Sequence, residues 1–247
     1  MEHDIVSGEV MDASIDEAAA LHAKGLAFET GSDGKTIDHE QAFSFYMKAA
    51  ELGHQEAQTS VGDLYQLGRG VKKQPEEAVK WWRKAADAGH AKAQFNVAVA
   101  CYNKQTVRSV EEAVDYFHMA ADQDYGPAQH HLSHLYIEGK FVSKDPDAGF
   151  EYAYKAAMNG IAASQVDLAL MYATGNGAEK DVVEAFAWAM VATDTMDSHK
   201  TRQVRDYLRD GMNLDHRQMS EGRIRSRRHI QKVKTYLEEK EKAALEQ

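Results

Sequence analysis

A nine-residue pattern returns five times at near-constant spacing, and it limits what this chain can fold into more than any other feature. AFSFYMKAA from Ala42, AVKWWRKAA from Ala78, AVDYFHMAA from Ala113, GFEYAYKAA from Gly149 and AFAWAMVAT from Ala185 align column for column. The first Ala of the closing pair falls at Ala49, Ala85, Ala120, Ala156 and Ala192, in steps of 36, 35, 36 and 36. A period of this length marks stacked helical hairpins, in which each repeat buries its apolar face against its neighbours. Such a stack presents an extended surface rather than an enclosed catalytic pocket.

The second repeat shows the physical logic. Ala57, Val61, Leu64, Tyr65 and Gly68 follow helical spacing and predict a first helix of about 13 residues. Gly68 and Gly70 end it, because glycine adopts the left-handed conformation that a helix C-terminus favours. Pro75, Glu76 and Glu77 open a second helix, with proline in the first turn and acids at the positive end of the dipole. Val79, Trp82, Ala85 and Ala86 form its buried face, and Gly89 closes it.

Small residues recur where paired helices must approach closely: Gly25, Gly62, Ala98, Ser133 and Ala169 in the first helices, and the Ala pairs in the second. Overfilling such a contact costs about 1–3 kcal/mol. Phe28, Tyr65, Tyr136 and Tyr172 share one column and are expected to fill the gaps between successive hairpins.

The combined pattern A-x-x-x-L-G-x-x-Y-x-x-G-x-G followed by A-x-x-W-x-x-K-A-A-x-x-G resembles the Sel1-like repeat, a relative of the tetratricopeptide repeat, over residues 14–193. The resemblance implies an all-α protein, a right-handed α/α superhelical solenoid of stacked hairpins with C-terminal capping helices. The expected organisation is a disordered acidic N-terminus at 1–13, five repeats at 14–53, 54–89, 90–124, 125–160 and 161–193, and basic-faced capping helices at 194–247. Ser14-Ile15-Asp16-Glu17 reads as a capping box opening the first helix. Two further helices are expected over 199–211 and about 214–245, with Asn213 or Asp215 as N-cap. Leu208, Leu214, Ile224, Ile230, Val233 and Leu237 would seal the last hairpin. The third repeat departs from the pattern. Lys104, Gln105 and Thr106 replace its loop glycines, Cys101 its tyrosine and Asp124 its capping glycine, so an irregular hairpin is expected there.

The balance of 29 Lys and Arg against 39 Asp and Glu gives a net charge of −10 and disfavours general nucleic-acid binding. Residues 1–194 carry 16 basic and 30 acidic side chains, and residues 195–247 carry 13 and 9. This asymmetry suggests self-association through the basic C-terminal helices, or a partner of mixed charge. The single Cys101 implies no internal disulfide. No stretch approaches the roughly 20 apolar residues of a membrane span, and no secretory leader is evident, so a cytoplasmic location is expected.

In tetratricopeptide-like stacks the first helices line the concave face. By that resemblance the inward positions are His22, Leu26 and Glu29; Thr59, Asp63 and Gln66; Phe95, Val99 and Tyr102; His130, His134 and Ile137; and Val166, Leu170 and Ala173. A row this apolar and aromatic fits a bound peptide or helix. Asp63, Gln66, Phe95, Val99, Tyr102, His130, His134, Ile137 and Leu170 are therefore the expected partner-binding residues, centred on Phe95, Tyr102 and His134.

Three other features point elsewhere. QHHLSHLY spaces His130 and His134 as a zinc-binding pair, but no third ligand is visible, so the cluster reads as chance among twelve histidines and no metal or cofactor is expected. RIRSRR spreads Arg223, Arg225, Arg227 and Arg228 over more than one helix face, which suits a solvated surface better than a phosphate clamp. Trp81, Trp82 and Trp188 read as core, and Cys101 as a buried inert thiol. No phosphate loop, nucleophile elbow or catalytic carboxylate pair stands out.

The resemblance implies a non-enzymatic adaptor or scaffold for protein partners. An immunity or regulatory protein masking one cognate partner is the alternative. One branch of the family is linked to β-lactam binding or hydrolysis, but that branch carries paired cysteines and this chain has one.

Overall fold

The computed structural model describes residues 2–103 and 110–246, the first thirteen of them by backbone alone. The third-repeat loop at Lys104, Gln105 and Thr106 lies outside the described residues. Among the described residues there are twelve helices and no strand, so the chain is all-α and built of helical hairpins. It divides into two compact units, residues 1–116 and 117–247.

The first unit holds α1 (Glu2–Thr30), α2 (His39–Glu51), α3 (Gln55–Leu67), α4 (Pro75–Asp87), α5 (Ala91–Tyr102) and the start of α6 (Val110–Asp122). Helix α1 pairs with α2 and α3 with α4, while α2 stacks on α3 and α4 on α5. Helix α1 begins at Glu2, so the backbone is helical where disorder was expected, and Ser14 lies inside the helix rather than at its cap. The α2 start is capped instead by Asp38, whose carboxylate accepts from the amides of Glu40 and Gln41. Gly68 ends α3 in the left-handed conformation, and Pro75 opens α4.

Size matching across each hairpin sets how closely its helices approach. A Cβ added to Gly25 would lie 2.6 Å from the Tyr46 ring, and one added to Gly62 would lie 2.4 Å from Trp82. Tyr46 and Trp82 occupy one column of the second helices, and the partner column must give them room. In the fourth and fifth repeats the same column holds Ala153 and Ala189, and the facing positions rise to Ser133 and Ala169. Glycine thus stands where the facing side chain is Tyr46 or Trp82, and a larger residue where it is alanine, as dense packing demands.

A second column ties successive repeats together. Gln58, Gln94, Gln129 and Gln165 are buried, and each Nε2 donates to a carbonyl in the last turn of the preceding hairpin, at Ala50, Ala86, Ala121 and Ala157. These carbonyls lie at a helix C-terminus, where each also accepts one backbone N–H of the turn that follows, from Gly53, Gly89, Asp124 and Gly160. In the first repeat the column holds Leu21.

The second unit holds the end of α6 and then α7 (Gly126–Glu138), α8 (Pro146–Met158), α9 (Ala162–Thr174), α10 (Val182–Thr195), α11 (His199–Gly211) and α12 (His216–Leu245). Helix α7 pairs with α8 and α9 with α10; α11 covers α10 and α9, and α12 runs along α10 and reaches α8. Asp215, not Asn213, caps α12 through a box with Gln218. Leu208, Leu214 and Val233 are buried as expected, whereas Ile224 and Leu237 remain 42% and 37% exposed. Arg225 turns inward to Asp181 at 2.8 Å and Glu184 at 3.2 Å, and His229 meets Glu184 at 2.6 Å while stacking on Trp188. Arg223, Arg227 and Arg228 stay exposed. The C-terminal helices therefore seal the last hairpin of their own chain.

Candidate functional site

In the first unit, α3 and α5 bring four of the expected residues to one open cavity of about 340 Å³. Asp63, Gln66, Phe95 and Val99 line it, with Glu29 from α1 and with Leu67, Trp82 and Asn96. Asp63 organises the polar side. Its Oδ1 accepts from Trp82 Nε1 at 3.0 Å and from Asn96 Nδ2 at 2.9 Å, and its Oδ2 pairs with Lys92 at 2.7 Å. Glu29 accepts the Tyr46 hydroxyl at 2.6 Å; burial, reinforced by this carboxylate, pushes the Tyr46 pKa up, so the hydroxyl stays a donor. Gln66 Oε1 is buried without a hydrogen-bond partner, in a wall that is otherwise largely apolar. A buried acceptor left unpaired costs about 1–3 kcal/mol, which a ligand N–H would recover.

Not all of the inward row reaches this cavity. Tyr102 is half-buried but does not line it. Thr59 is fully buried, its hydroxyl held by the Gln55 carbonyl and His90 Nδ1. His22 stacks on His54 with ring centroids 4.6 Å apart.

In the second unit the histidine run divides between two faces. His131 turns into the core and stacks on Phe117, and burial drives its pKa down to about 4. His130 and His134 face Asp167 of α9: His134 Nε2 lies 3.1 Å and His130 Nδ1 3.5 Å from Asp167 Oδ2. Asp167 raises the His134 pKa against the cost of partial burial, while burial lowers that of His130. Ser164 Oγ, 2.8 Å from His130 Nδ1, holds that ring in place. Ile137 packs into the core beside Phe150 and Tyr172, and Leu170 is 39% exposed. Val166 and Ala173, expected on the surface, are buried because α8, α10 and α11 all pack on α9.

Asp167 and Asn96 went unnoticed in the sequence. Asp167 carried a readable signal, being the one charged side chain of α9. Asn96 sits at an unremarkable polar position. The Cys101 thiol is buried, with Arg83 Nη2 at 3.7 Å. Trp82 and Trp188 are buried, and Trp81 lies half-buried beneath Lys84.

The family profile of the Sel1 repeat matches residues 17–54, 55–90, 91–125, 126–161 and 162–189. The chain is a Sel1-repeat protein. Among solved structures, a protective antigen of uropathogenic Escherichia coli superposes with a TM-score of 0.79 at 30% identity, over 87% of this chain and 46% of that one. A Sel1 repeat protein of Oxalobacter formigenes gives 0.67 at 30% identity, over 76% of both chains. The mouse DAP3-binding cell death enhancer 1 is 37% identical over 154 residues, 61% of this chain, and the chain spans only 30% of that protein's length. Sel1-repeat proteins generally mediate protein–protein interactions. Among the described residues of this Sel1-repeat chain, no helix is long and apolar enough to cross a membrane.

Proposed function

We propose that the protein is a non-enzymatic adaptor that holds a peptide or helix of a partner protein against the inward row of its first helices. The cavity of Asp63, Gln66, Phe95 and Val99 carries this reading. Its apolar wall suits one buried side chain of the partner, and the unpaired Gln66 Oε1 suits a main-chain or side-chain N–H beside it. In the second unit His134 and Leu170 form a separate patch of the same row.

The test is capture of partners by the wild-type chain and by Phe95→Glu and His134→Glu variants of unchanged helix content. Loss of a captured partner by Phe95→Glu, with affinity falling tenfold or more (about 1.4 kcal/mol), supports the cavity as the binding site. Equal binding by Phe95→Glu contradicts it. A single tight partner would favour the masking role over the adaptor.

A further inference from the structure

We propose that His130, His134 and Asp167 form a binding site for a zinc ion. The three residues each offer one ligand atom, and these atoms lie within 4.8 Å of one another. His130 and His134 stand one turn apart on α7, and Asp167 comes from α9 of the next repeat, so the constellation exists only in the folded second unit.

The spacing suits the ion. Zinc bonds of about 2.0–2.1 Å in a tetrahedral shell place ligand atoms about 3.3–3.4 Å apart. The histidine nitrogens sit 3.1 and 3.5 Å from Asp167 Oδ2. That oxygen is buried, and its neighbours are the two imidazole nitrogens, with His134 Nε2 the nearer. A cation placed between this oxygen and the two rings would replace that single pairing with three ligand bonds. Two imidazoles and one carboxylate are a donor set that zinc accepts, with a fourth position left for water or a partner's side chain. The side chains of His130, His134 and Asp167 retain 24%, 45% and 23% exposure, so the ion has a path in. Coordination through His130 Nδ1 requires the Ser164 hydroxyl to release that nitrogen. Glu138 favours a cation here, while Lys200 opposes one.

The other histidine cluster, His22, His54 and Glu56 in the first unit, serves as a control. Its two rings are stacked with an interplanar angle of 21°, so their in-plane lone pairs run side by side instead of converging. His54 Nδ1 already accepts the Ala57 amide.

The experiment is calorimetric titration of zinc into the full chain, free of any polyhistidine tag and stripped of metal. Cobalt(II) absorption reports the coordination number. One equivalent of zinc is expected to bind, raising the melting temperature of the chain. Both His134→Ala and Asp167→Asn should weaken binding by about tenfold or more, and His54→Ala should leave it unchanged. Asp167→Asn preserves shape and so separates ligation from folding. Absence of saturable zinc binding overturns the proposal, as does binding that survives Asp167→Asn or that disappears in His54→Ala. Because zinc is measured without a partner, this result is independent of the peptide-binding test.

Discussion

Asp124 and Tyr236 lie 112 residues apart in sequence and share a hydrogen bond of 2.6 Å. Asp124 stands where other repeats place a capping glycine, at φ 58°, and accepts that strained backbone while its carboxylate gathers four donors. Besides Tyr236 these are Lys240 at 2.8 Å, Gln129 at 2.9 Å and Asn159 at 2.8 Å. The irregularity of the third repeat is thus where the end of α12 is fastened. Asp124→Asn keeps a residue that tolerates the left-handed region but removes the charge. Charge-assisted bonds contribute about 1.5–3 kcal/mol each, so urea denaturation should show a loss of about that size. Amide exchange should accelerate mainly at the C-terminal end of α12; uniform acceleration across the second unit would contradict the fastening role.

The same carboxylate gives a pH dependence. Partial burial pushes the Asp124 pKa up, but hydrogen bonds from Lys240, Tyr236, Gln129 and Asn159 outweigh it and hold the pKa at about 2. In the unfolded chain an aspartate titrates at about 3.9. The folded state therefore favours the charged form, and this stabilisation is complete above about pH 4 and lost as pH falls toward 2. Melting temperatures of the wild type should fall more steeply over that window than those of Asp124→Asn. Parallel curves would remove Asp124 from the account.

Gly62 is fixed by Trp82. Gly62→Ala drives a Cβ to 2.4 Å from the indole and should cost about 1–3 kcal/mol. Combining Gly62→Ala with Trp82→Ala copies the small-on-small contact of Ala169 and Ala189. The double variant should lose clearly less than the two single changes added together. Additive losses measured by denaturation would show that size matching does not govern the hairpin.

Phe141 occupies the second glycine position of its loop at φ 67° and is 52% exposed. A bulky side chain held there is strained by about 1–2 kcal/mol. Phe141→Gly should stabilise the chain by about 0.5–1 kcal/mol, after the greater freedom of glycine in the unfolded state is deducted. A fall in melting temperature would show that the aromatic contributes more than its backbone costs.

Each buried glutamine should report on the joint between repeats. Gln165→Met removes the side-chain donor to Ala157 O and leaves that carbonyl its Gly160 N–H, with an expected loss of about 0.5–1.5 kcal/mol by urea denaturation. A neutral result would mean that water replaces the amide.

The recurring columns were enough to determine the number of hairpins, the helix pairs and the close-packed faces. These depend on local spacing and on neighbours one period away, and both are written in every repeat. The cavity was half legible for the same reason: Asp63, Gln66, Phe95 and Val99 hold equivalent or adjacent positions on two stacked helices. What the tertiary structure decided involves partners that no period connects. Ala173 is buried in a cluster that Leu208 of α11 completes, and Arg225 is drawn inward by Asp181 and Glu184. Asp167 meets His130 and His134, and Asp124 meets Tyr236, only once separate elements are packed. A repeat pattern specifies contacts between like positions; contacts between unlike elements depend on where the chain turns after the pattern ends.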